Sequence, residues 1–318
     1  MSTWHDLAVA RYLGLDLGGT NIKVALIEKS NDTWIVLEEH TSATEAEKGP
    51  SHVVARLAEL AESFCGNPIN DIAGVGIAVP GIFDAEKGTI LLFPNLPGPW
   101  ENFEIVGPIR SACGKPTGII NDARAFALSE SLLGAAQGMD TVACLILGTG
   151  VGGGIVINGK IHNGSSGGAG EIAHQIVKAD GPLCGCGARG CVESLTSSAA
   201  LSKLAGTTTP EEAYRRALAG DEQALEAFKE VGKWLGIALS NVMAVVSPDA
   251  FVIGGGVAQS GPLILDYIKE EMVRRCHLWP NSTINIVSAT LGVYAGAIGA
   301  ALYGAITEGA QLSRISTT

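Results

Sequence analysis

One histidine and three cysteines are spaced as metal ligands in the second half of the chain. His174 precedes Cys184, Cys186 and Cys191, which lie in a glycine-rich segment. One imidazole and three thiolates form the closed ligand set that holds structural Zn²⁺. Three free thiols would not explain how a loop so poor in apolar residues becomes ordered. The spacing therefore predicts a zinc loop over residues 174–193, in which the metal shapes the loop and performs no Lewis-acid catalysis.

Three glycine-rich turns follow apolar runs, at residues 16–20, 148–154 and 254–256. Glycine lets backbone N–H groups approach phosphate oxygens, and threonine adds a hydroxyl donor. One such turn is equally compatible with an ordinary hairpin, whereas three together indicate a nucleoside triphosphate. The sequence contains neither the P-loop pattern nor a dinucleotide G-x-G-x-x-G in a βαβ unit. These turns therefore predict a phosphate site built from backbone amides.

A carboxylate that could accept a proton follows the apolar run 118–120. Asn121 and Asp122 end this predicted strand, and a predicted helix over 123–135 follows. Phosphoryl transfer to a hydroxyl needs a carboxylate beside the attacking oxygen. Asp122 fits this role, but aspartate is also a good helix N-cap. The spacing alone leaves both roles open.

The elements that must position these groups form two similar α/β halves. Residues 12–27 are typical of a strand, a glycine turn and a second strand, which is a β-hairpin rather than a βα unit, and residues 141–157 repeat the pattern. A strand over 250–253 meets the third turn, and a helix of small residues covers 295–303. We expect an α/β fold of two facing lobes, with the glycine turns pointing into the cleft.

Composition excludes several classes of protein. A length of 318 residues favours two domains, and 21 basic against 32 acidic residues, a net charge of −11, argue against nucleic-acid binding. The longest apolar region, 142–157, is short and broken by five glycines, so no membrane span is expected. The odd total of 7 cysteines and the lack of a signal peptide at the start favour the cytoplasm.

Six motifs, in order along nearly the whole chain, resemble those of the ROK family (repressors, open reading frames, kinases), within the actin-like ATPase superfamily. The Cys-rich segment is the most specific of them, and the bacterial glucokinases of the family are the most similar kind. The motifs are Asp16-Leu-Gly-Gly-Thr20, Asn121-Asp122-Ala, Gly148-Thr-Gly-Val-Gly-Gly-Gly154, Gly170-Glu-Ile-Ala-His174, Cys184-Gly-Cys-Gly-Ala-Arg-Gly-Cys-Val-Glu193 and Ile253-Gly-Gly-Gly256.

The resemblance implies a two-lobed actin-like ATPase (ribonuclease H-like) fold with an interlobe cleft and a zinc-binding loop. The expected smaller lobe is 1–121, completed by a C-terminal helix over about 304–318, and the larger lobe is 122–303. The implied activity is ATP- and Mg²⁺-dependent phosphorylation of the 6-hydroxyl of glucose. An N-acetylhexosamine kinase or a fructokinase remains an alternative, and a sugar-responsive repressor is a remote one. A homodimer or homotetramer is expected.

The resemblance also implies roles for individual residues. Asp122 becomes the general base, and the same four zinc ligands are implied. Asp16 is implied as a Mg²⁺ or water-mediated phosphate partner, although it could also cap its own turn. The implied sugar ligands are Gly81, Asn95, Asn121, Asp122, Glu171, His174 and Glu193. The implied nucleotide ligands are Asp16, Gly18, Gly19, Thr20, Asn21, Gly148, Thr149, Gly150, Gly254, Gly255 and Gly256.

Two residues depart from the family pattern. Arg124 stands where asparagine is usual, and it could contact phosphate or merely solvent. Ala173 replaces the usual glycine between Glu171 and His174, which adds a methyl group near the sugar ligands. Neither change removes a catalytic group.

Overall fold

The computed structural model describes residues 9–31, 33–93, 96–165, 167–310 and 312. The strands in these ranges are β1 (Val9–Leu17), β2 (Asn21–Ser30), β3 (Thr33–Ala43), β4 (Ile72–Val79), β5 (Ile82–Asp84), β6 (Thr89–Leu92), β7 (Phe103–Glu104), β8 (Thr117–Asn121), β9 (Thr141–Leu147), β10 (Val151–Ile157), β11 (Lys160–Ile161), β12 (Ala250–Gly254) and β13 (Ile286–Ser288). The helices are α1 (Pro50–Cys65), α2 (Val106–Cys113), α3 (Asp122–Leu132), α4 (Val192–Thr196), α5 (Ser198–Ala205), α6 (Pro210–Leu218), α7 (Glu222–Val246), α8 (Pro262–Arg275) and α9 (Ala295–Glu308).

The chain forms two compact units. Unit 1 comprises Met1–Leu133 and Val293–Thr318, and unit 2 comprises Gly134–Gly292. The expected boundaries after residue 121 and before residue 304 differ from this division, because α3 and the whole of α9 belong to unit 1. Helix α3 contacts α9 extensively, and α9 in turn covers β1 and β4. These contacts come from residues far apart in sequence, so the turn at Asn121 did not reveal them.

Unit 1 contains a five-stranded sheet in the order β3-β2-β1-β4-β8. Strands β1 and β2 form an antiparallel hairpin that brings Leu17 opposite Ile22, while β4 and β8 run parallel to β1. The hairpin over 12–27 is therefore confirmed. Because β1, β4 and β8 are parallel, their carboxyl ends lie at the same edge of the sheet. A smaller three-stranded sheet, β5-β6-β7, completes the unit.

Unit 2 repeats this topology with the order β11-β10-β9-β12-β13. Strands β9 and β10 form the second hairpin, with Leu147 opposite Val151, and β12 runs parallel to β9. The predicted internal repeat is confirmed strand by strand. The helices α5, α6, α7 and α8 cover this sheet around a core that includes Phe228, Phe251 and Ile268, all almost fully buried. Burial of one such side chain stabilises a fold by about 1.5–3 kcal/mol.

The small residues of α9 let the helix lie directly on its sheet. A Cβ atom at Gly76 of β4 would overlap the carbonyl oxygen of Ala300, and one at Gly14 of β1 would overlap that of Ala297. Likewise, Gly299 lies against the backbone of Ala125 in α3. Glycine is needed wherever two backbones approach this closely. This packing uses the small-residue face of α9 inside unit 1, so that face gives no support to an oligomer.

In the described ranges, no helix combines the length and the apolar character that crossing a lipid bilayer requires.

Candidate active site

Asp122 lies at the junction of β8 and α3 in unit 1. The N-cap of α3 is Asn121, whose Oδ1 atom accepts hydrogen bonds from the backbone N–H groups of Ala123 at 3.1 Å and Arg124 at 3.3 Å. Asp122 is the first helical residue, and its Oδ1 atom accepts from the same Ala123 N–H at 2.8 Å. The N-cap role that the spacing left open for Asp122 therefore belongs to its neighbour Asn121. The Asp122 carboxylate lies at the positive end of the helix dipole.

Asp16 is the second acidic group at this edge of the unit 1 sheet. The pKa of Asp16 is raised to about 7, mainly by burial and then by the negative charge of Asp122, while the positive charge of Lys23 acts in the opposite direction. Lys23 is the residue opposite Asp16 in the β1–β2 pairing. The carboxyl group also lies against the first turn of α9, where a Cβ atom at Gly296 would be 2.5 Å from Oδ2. Asp16 and Asp122 therefore form a carboxylate pair that a cation would stabilise.

The first glycine turn is braced from one side and exposed on the other. The N–H of Gly18 donates to the carbonyl oxygen of Asn21 at 3.0 Å, and its own carbonyl accepts from the Thr44 hydroxyl at 2.7 Å. Gly19, Thr20 and Asn21 are exposed. The backbone of the turn is thus held in place while its tip faces solvent, as an anion site requires.

In unit 2 the second and third glycine turns lie side by side. The hairpin turn after β9 is closed by a hydrogen bond from the N–H of Gly148 to the carbonyl of Gly150 at 2.9 Å. Gly255, with φ of +88°, lies so close to Leu147 at the end of β9 that a Cβ atom there would be 2.7 Å from the Leu147 nitrogen. The N–H of Ser198, the first residue of α5, donates to the carbonyl of Gly148 at 2.9 Å. The structure therefore brings the turns at 148–150 and 254–256 together.

The four predicted metal ligands also lie together in unit 2. The ligand atoms of His174, Cys184, Cys186 and Cys191 are all within 4.8 Å of one another. Two separations, Cys184 Sγ to His174 Nδ1 and Cys186 Sγ to Cys191 Sγ, are both 3.7 Å. A tetrahedral site with Zn–S bonds of about 2.3 Å has sulfur–sulfur edges of about 3.8 Å. The residues therefore fit a Cys₃His zinc site.

Glu193 connects the cysteine cluster to the glycine turn of the second hairpin. Its Oε1 atom accepts from the Cys184 thiol at 3.4 Å, and its Oε2 atom accepts from the backbone N–H of Val151 at 3.0 Å. Val151 directly follows the 148–150 turn as the first residue of β10. His174 presents Nδ1 to the cluster, so Nε2 is the ring nitrogen that remains for a ligand. Glu171 is exposed three residues earlier, just before a single 3₁₀ turn.

The structure describes three of four other residues that the sequence singled out. Gly81 follows β4 with φ of +89°, a conformation that favours glycine. Asn95 lies outside the described residues. Arg124 is only 8% exposed, so the alternative in which it merely meets solvent is wrong. Ala173 is fully buried beside the cluster.

Three residues with structural roles at the site are not among the predicted site residues. Lys23 was visible in the first hairpin, and counting residues across the turn would have placed it opposite Asp16. Thr44 and Gly296 carried no local signal, because each meets the first turn or Asp16 through a contact distant in sequence.

Each unit contains a strand hairpin with a glycine turn. These features place the protein in the class with the two-lobed actin-like ATPase fold. The ROK family model matches residues 12–305, and the chain belongs to the ROK family. It resembles the glucokinases of that family.

Curated relatives are about one third identical to this chain over the aligned residues. The glucokinase of Thermotoga maritima is 32% identical and aligns over 92% of this chain and 96% of its own length. The N-acetylgalactosamine kinase AgaK of a Shewanella species is 33% identical over 92% of this chain and 96% of its own length. A xylose repressor of Bacillus subtilis is 31% identical over 72% of this chain and 60% of its own length.

Solved structures of ROK proteins have the same fold. The ROK hexokinase from Thermus thermophilus has a TM-score of 0.84 at 33% identity, covering 93% of this chain and 98% of that one. A ROK glucokinase from Streptomyces griseus, solved with glucose and AMPPNP, has a TM-score of 0.76 at 31% identity, covering 93% of this chain and 99% of that one.

Proposed function

We propose that the protein is an ATP- and Mg²⁺-dependent glucokinase that phosphorylates the 6-hydroxyl of glucose, with Asp122 as general base. The observation that carries the proposal is the position of Asp122, which is the first helical residue of α3 and follows the N-cap Asn121. Glucokinases at 30–32% identity over most of the chain support glucose as the acceptor.

The proposed role of Asp122 is to accept the proton of the attacking hydroxyl. General-base assistance of this kind contributes about 10²–10⁴-fold to a rate. Because Oδ1 of Asn121 is used by the helix cap, its Nδ2 group is the part that can donate to a sugar hydroxyl. The cap thus holds the neighbouring amide and carboxylate in fixed relative positions.

The remaining proposed sugar ligands are Gly81, Asn95, Glu171, His174 and Glu193. Carboxylates accept hydrogen bonds from pairs of sugar hydroxyls, and the Nε2–H of His174 can donate one. When Cys184 is ionised as a zinc ligand, it no longer donates to Oε1 of Glu193, and this oxygen can then accept from a sugar hydroxyl.

A structural zinc ion is proposed for His174, Cys184, Cys186 and Cys191, whose mutual spacing fits it. Its contribution when bound is to fold the loop, since four protein ligands leave no open position. The Cys191 backbone is the N-cap of α4, which carries Glu193, so ordering the loop also orders this carboxylate.

The proposed nucleotide ligands of unit 1 are Gly18, Gly19, Thr20 and Asn21. Those of unit 2 lie in its two adjoining turns and are Gly148, Thr149, Gly150, Gly254, Gly255 and Gly256. Backbone N–H groups at these turns and the hydroxyls of Thr20 and Thr149 donate to phosphate oxygens. Asp16 holds Mg²⁺ directly or through water in this proposal. A carboxylate pair next to a phosphate-binding turn is the oxygen-rich environment that Mg²⁺ prefers.

A panel of acceptors distinguishes the candidate substrates. Purified protein with Mg²⁺ and ATP, GTP or polyphosphate is assayed for phosphorylation of glucose, mannose, fructose, N-acetylglucosamine, N-acetylmannosamine and N-acetylgalactosamine. ADP release by a coupled assay reports the reactions with ATP, and detection of the sugar phosphate covers the other donors. The proposal expects the highest kcat/KM with glucose and ATP. A higher value with an N-acetylhexosamine would favour the activity named for the Shewanella relative and overturn the assignment of glucose.

We also propose a cytoplasmic homodimer or homotetramer. None of the seven cysteines forms a disulfide, as is usual in a reducing compartment. Light scattering on the purified chain measures the mass, and a monomer would contradict the proposed assembly.

A further inference from the structure

Two cysteines outside the zinc cluster lie together at the ends of neighbouring helices. Cys65 is the last residue of α1, and Cys113 is the last residue of α2. The two helices pack against each other, both cysteines pack on the unit 1 core, and the two thiols are near enough for each to shift the pKa of the other. Both residues are partly exposed at the border of the unit 1 core, unlike Cys144 and Cys276, which are buried.

We propose that Cys65 and Cys113 are a redox-sensitive thiol pair that forms a reversible disulfide when the protein meets hydrogen peroxide or an organic peroxide. The pair meets three requirements for this chemistry: the thiols are neighbours on two packed helices, they are partly exposed to solvent, and each lies at a helix terminus. This inference does not depend on the proposed kinase activity.

The environment distinguishes the two sulfurs. The hydrogen bond from Cys113 lowers the pKa of Cys65, and the positive charge of Lys115 acts in the same direction, against burial. The hydrogen bond with Cys65, burial and the charges of Cys65 and Glu62 raise the pKa of Cys113. Since the thiolate is the nucleophile, Cys65 is the sulfur that attacks and Cys113 is the one that resolves.

The reaction balances in two steps. The Cys65 thiolate attacks one peroxide oxygen, the O–O bond breaks, and Cys65 becomes a sulfenic acid while the leaving oxygen takes a proton to give water or an alcohol. The sulfur of Cys113 then attacks the sulfenic sulfur, the S–O bond breaks, and a second water leaves with the Cys113 proton. Two thiols are oxidised and one peroxide is reduced; a dithiol reductant reverses the change.

The disulfide would close the chain segment that contains β4, β5, β6 and β7. This segment includes Gly81. Strand β8, which leads to Asp122, begins shortly after Cys113 and lies outside the segment. A cross-link over a long loop destabilises the unfolded chain, so oxidation stabilises unit 1.

The test uses the full-length protein with its metal in place. Wild type is exposed to a small molar excess of hydrogen peroxide, remaining thiols are alkylated, and a digest without reductant is analysed by mass spectrometry. We expect a peptide pair joined through Cys65 and Cys113 that separates with dithiothreitol. We also expect the thermal unfolding midpoint to rise by roughly 5 °C or more on oxidation.

Three variants separate the roles. Cys65→Ala and Cys113→Ala should abolish the linked peptide and the rise in midpoint, whereas the control Cys276→Ala should retain both. In Cys113→Ala, dimedone should label Cys65; in Cys65→Ala it should not label Cys113. The proposal is overturned if wild type keeps both thiols open to alkylation, or if its disulfides form only among Cys184, Cys186 and Cys191. Because wild type alone decides this point, a poorly folding variant would not obscure it.

Discussion

The Oε2 atom of Glu193 accepts a hydrogen bond from the backbone N–H of Val151 at 3.0 Å. One carboxylate therefore connects the helix that follows the cysteine cluster with the strand that follows the 148–150 turn. In the proposed function the cluster side of this connection holds sugar and the turn holds nucleotide. The KM values for glucose and for ATP should then respond differently to two substitutions of Glu193.

Glu193→Gln keeps an oxygen that can accept from the Val151 N–H, but replaces the other acceptor with an NH₂ group. We expect the KM for glucose to rise about 10-fold or more, because one acceptor is lost, while the KM for ATP stays near that of wild type. Glu193→Ala removes both acceptors and should raise both KM values. Steady-state kinetics with each substrate varied in turn provides the comparison. Equal increases in the KM for ATP in the two variants would show that the Val151 contact does not support the turn.

Asp16→Asn should increase stability at neutral pH. The folded protein has an Asp16 pKa of about 7, against an ordinary value of 3.8, mainly because of burial. Between these pH values the folded state keeps a proton that the unfolded chain has released, so stability falls as pH rises and is level above about 7. Asparagine removes this dependence on pH. The free energy of unfolding of Asp16→Asn, measured relative to that of wild type, should therefore be roughly 2–4 kcal/mol higher at pH 8 than at pH 4.

Urea unfolding in Mg²⁺-free buffer at several pH values measures this difference. Asp266→Asn, at an exposed position of α8, is the control and should follow wild type. If the free energies of unfolding of Asp16→Asn and wild type change in the same way from acid to neutral pH, Asp16 is not a buried acid in the folded protein. The same variant should lose most of its kinase activity, since the amide no longer offers a charge to Mg²⁺.

Gly296→Ala should impair catalysis through Asp16. The added methyl group would meet the Asp16 carboxyl group and displace it. We expect kcat/KM to fall about 10-fold or more, since small displacements at a reacting centre are costly. A double-mutant cycle supplies the control: in an Asp16→Asn background, Gly296→Ala should cause little further loss. Equal losses in both backgrounds would indicate a general disturbance of α9.

The purified protein should contain one zinc ion per chain. Cys186 is the exposed member of the cluster, so Cys186→Ser tests ligation without disturbing a core. Zinc measured by mass spectrometry should fall to near zero, and residues 175–191 should become sensitive to protease. Cys65→Ser, outside the cluster, should keep its zinc. A zinc-free wild type, or full zinc content in Cys186→Ser, would contradict the proposed site.

The sequence predicted local groupings well. Both hairpins followed from apolar runs around glycine turns, and the cysteine cluster followed from spacing alone, because its ligands are near each other in sequence. The junction of β8 and α3 was also predicted, although only the structure assigned the cap to Asn121.

Contacts between distant residues were not predicted. The place of α3 in unit 1 depends on Gly299 meeting Ala125, and the burial of Asp16 depends in part on Gly296. Neither pair has a local pattern, because a glycine that permits a close approach resembles any other glycine in a sequence. Similarly, nothing in the local sequence indicated that Cys65 and Cys113, at the ends of two helices, would be partly exposed neighbours.

The most direct test of the central claim is phosphorus NMR of glucose, Mg²⁺ and ATP incubated with wild type and with Asp122→Asn. Wild type should produce glucose 6-phosphate and ADP. The variant should remain folded by circular dichroism and bind glucose by calorimetry, with turnover reduced by about 10²–10⁴-fold because no carboxylate accepts the proton. Glucose 6-phosphate formed by Asp122→Asn at the wild-type rate, or none formed by wild type, would contradict the account.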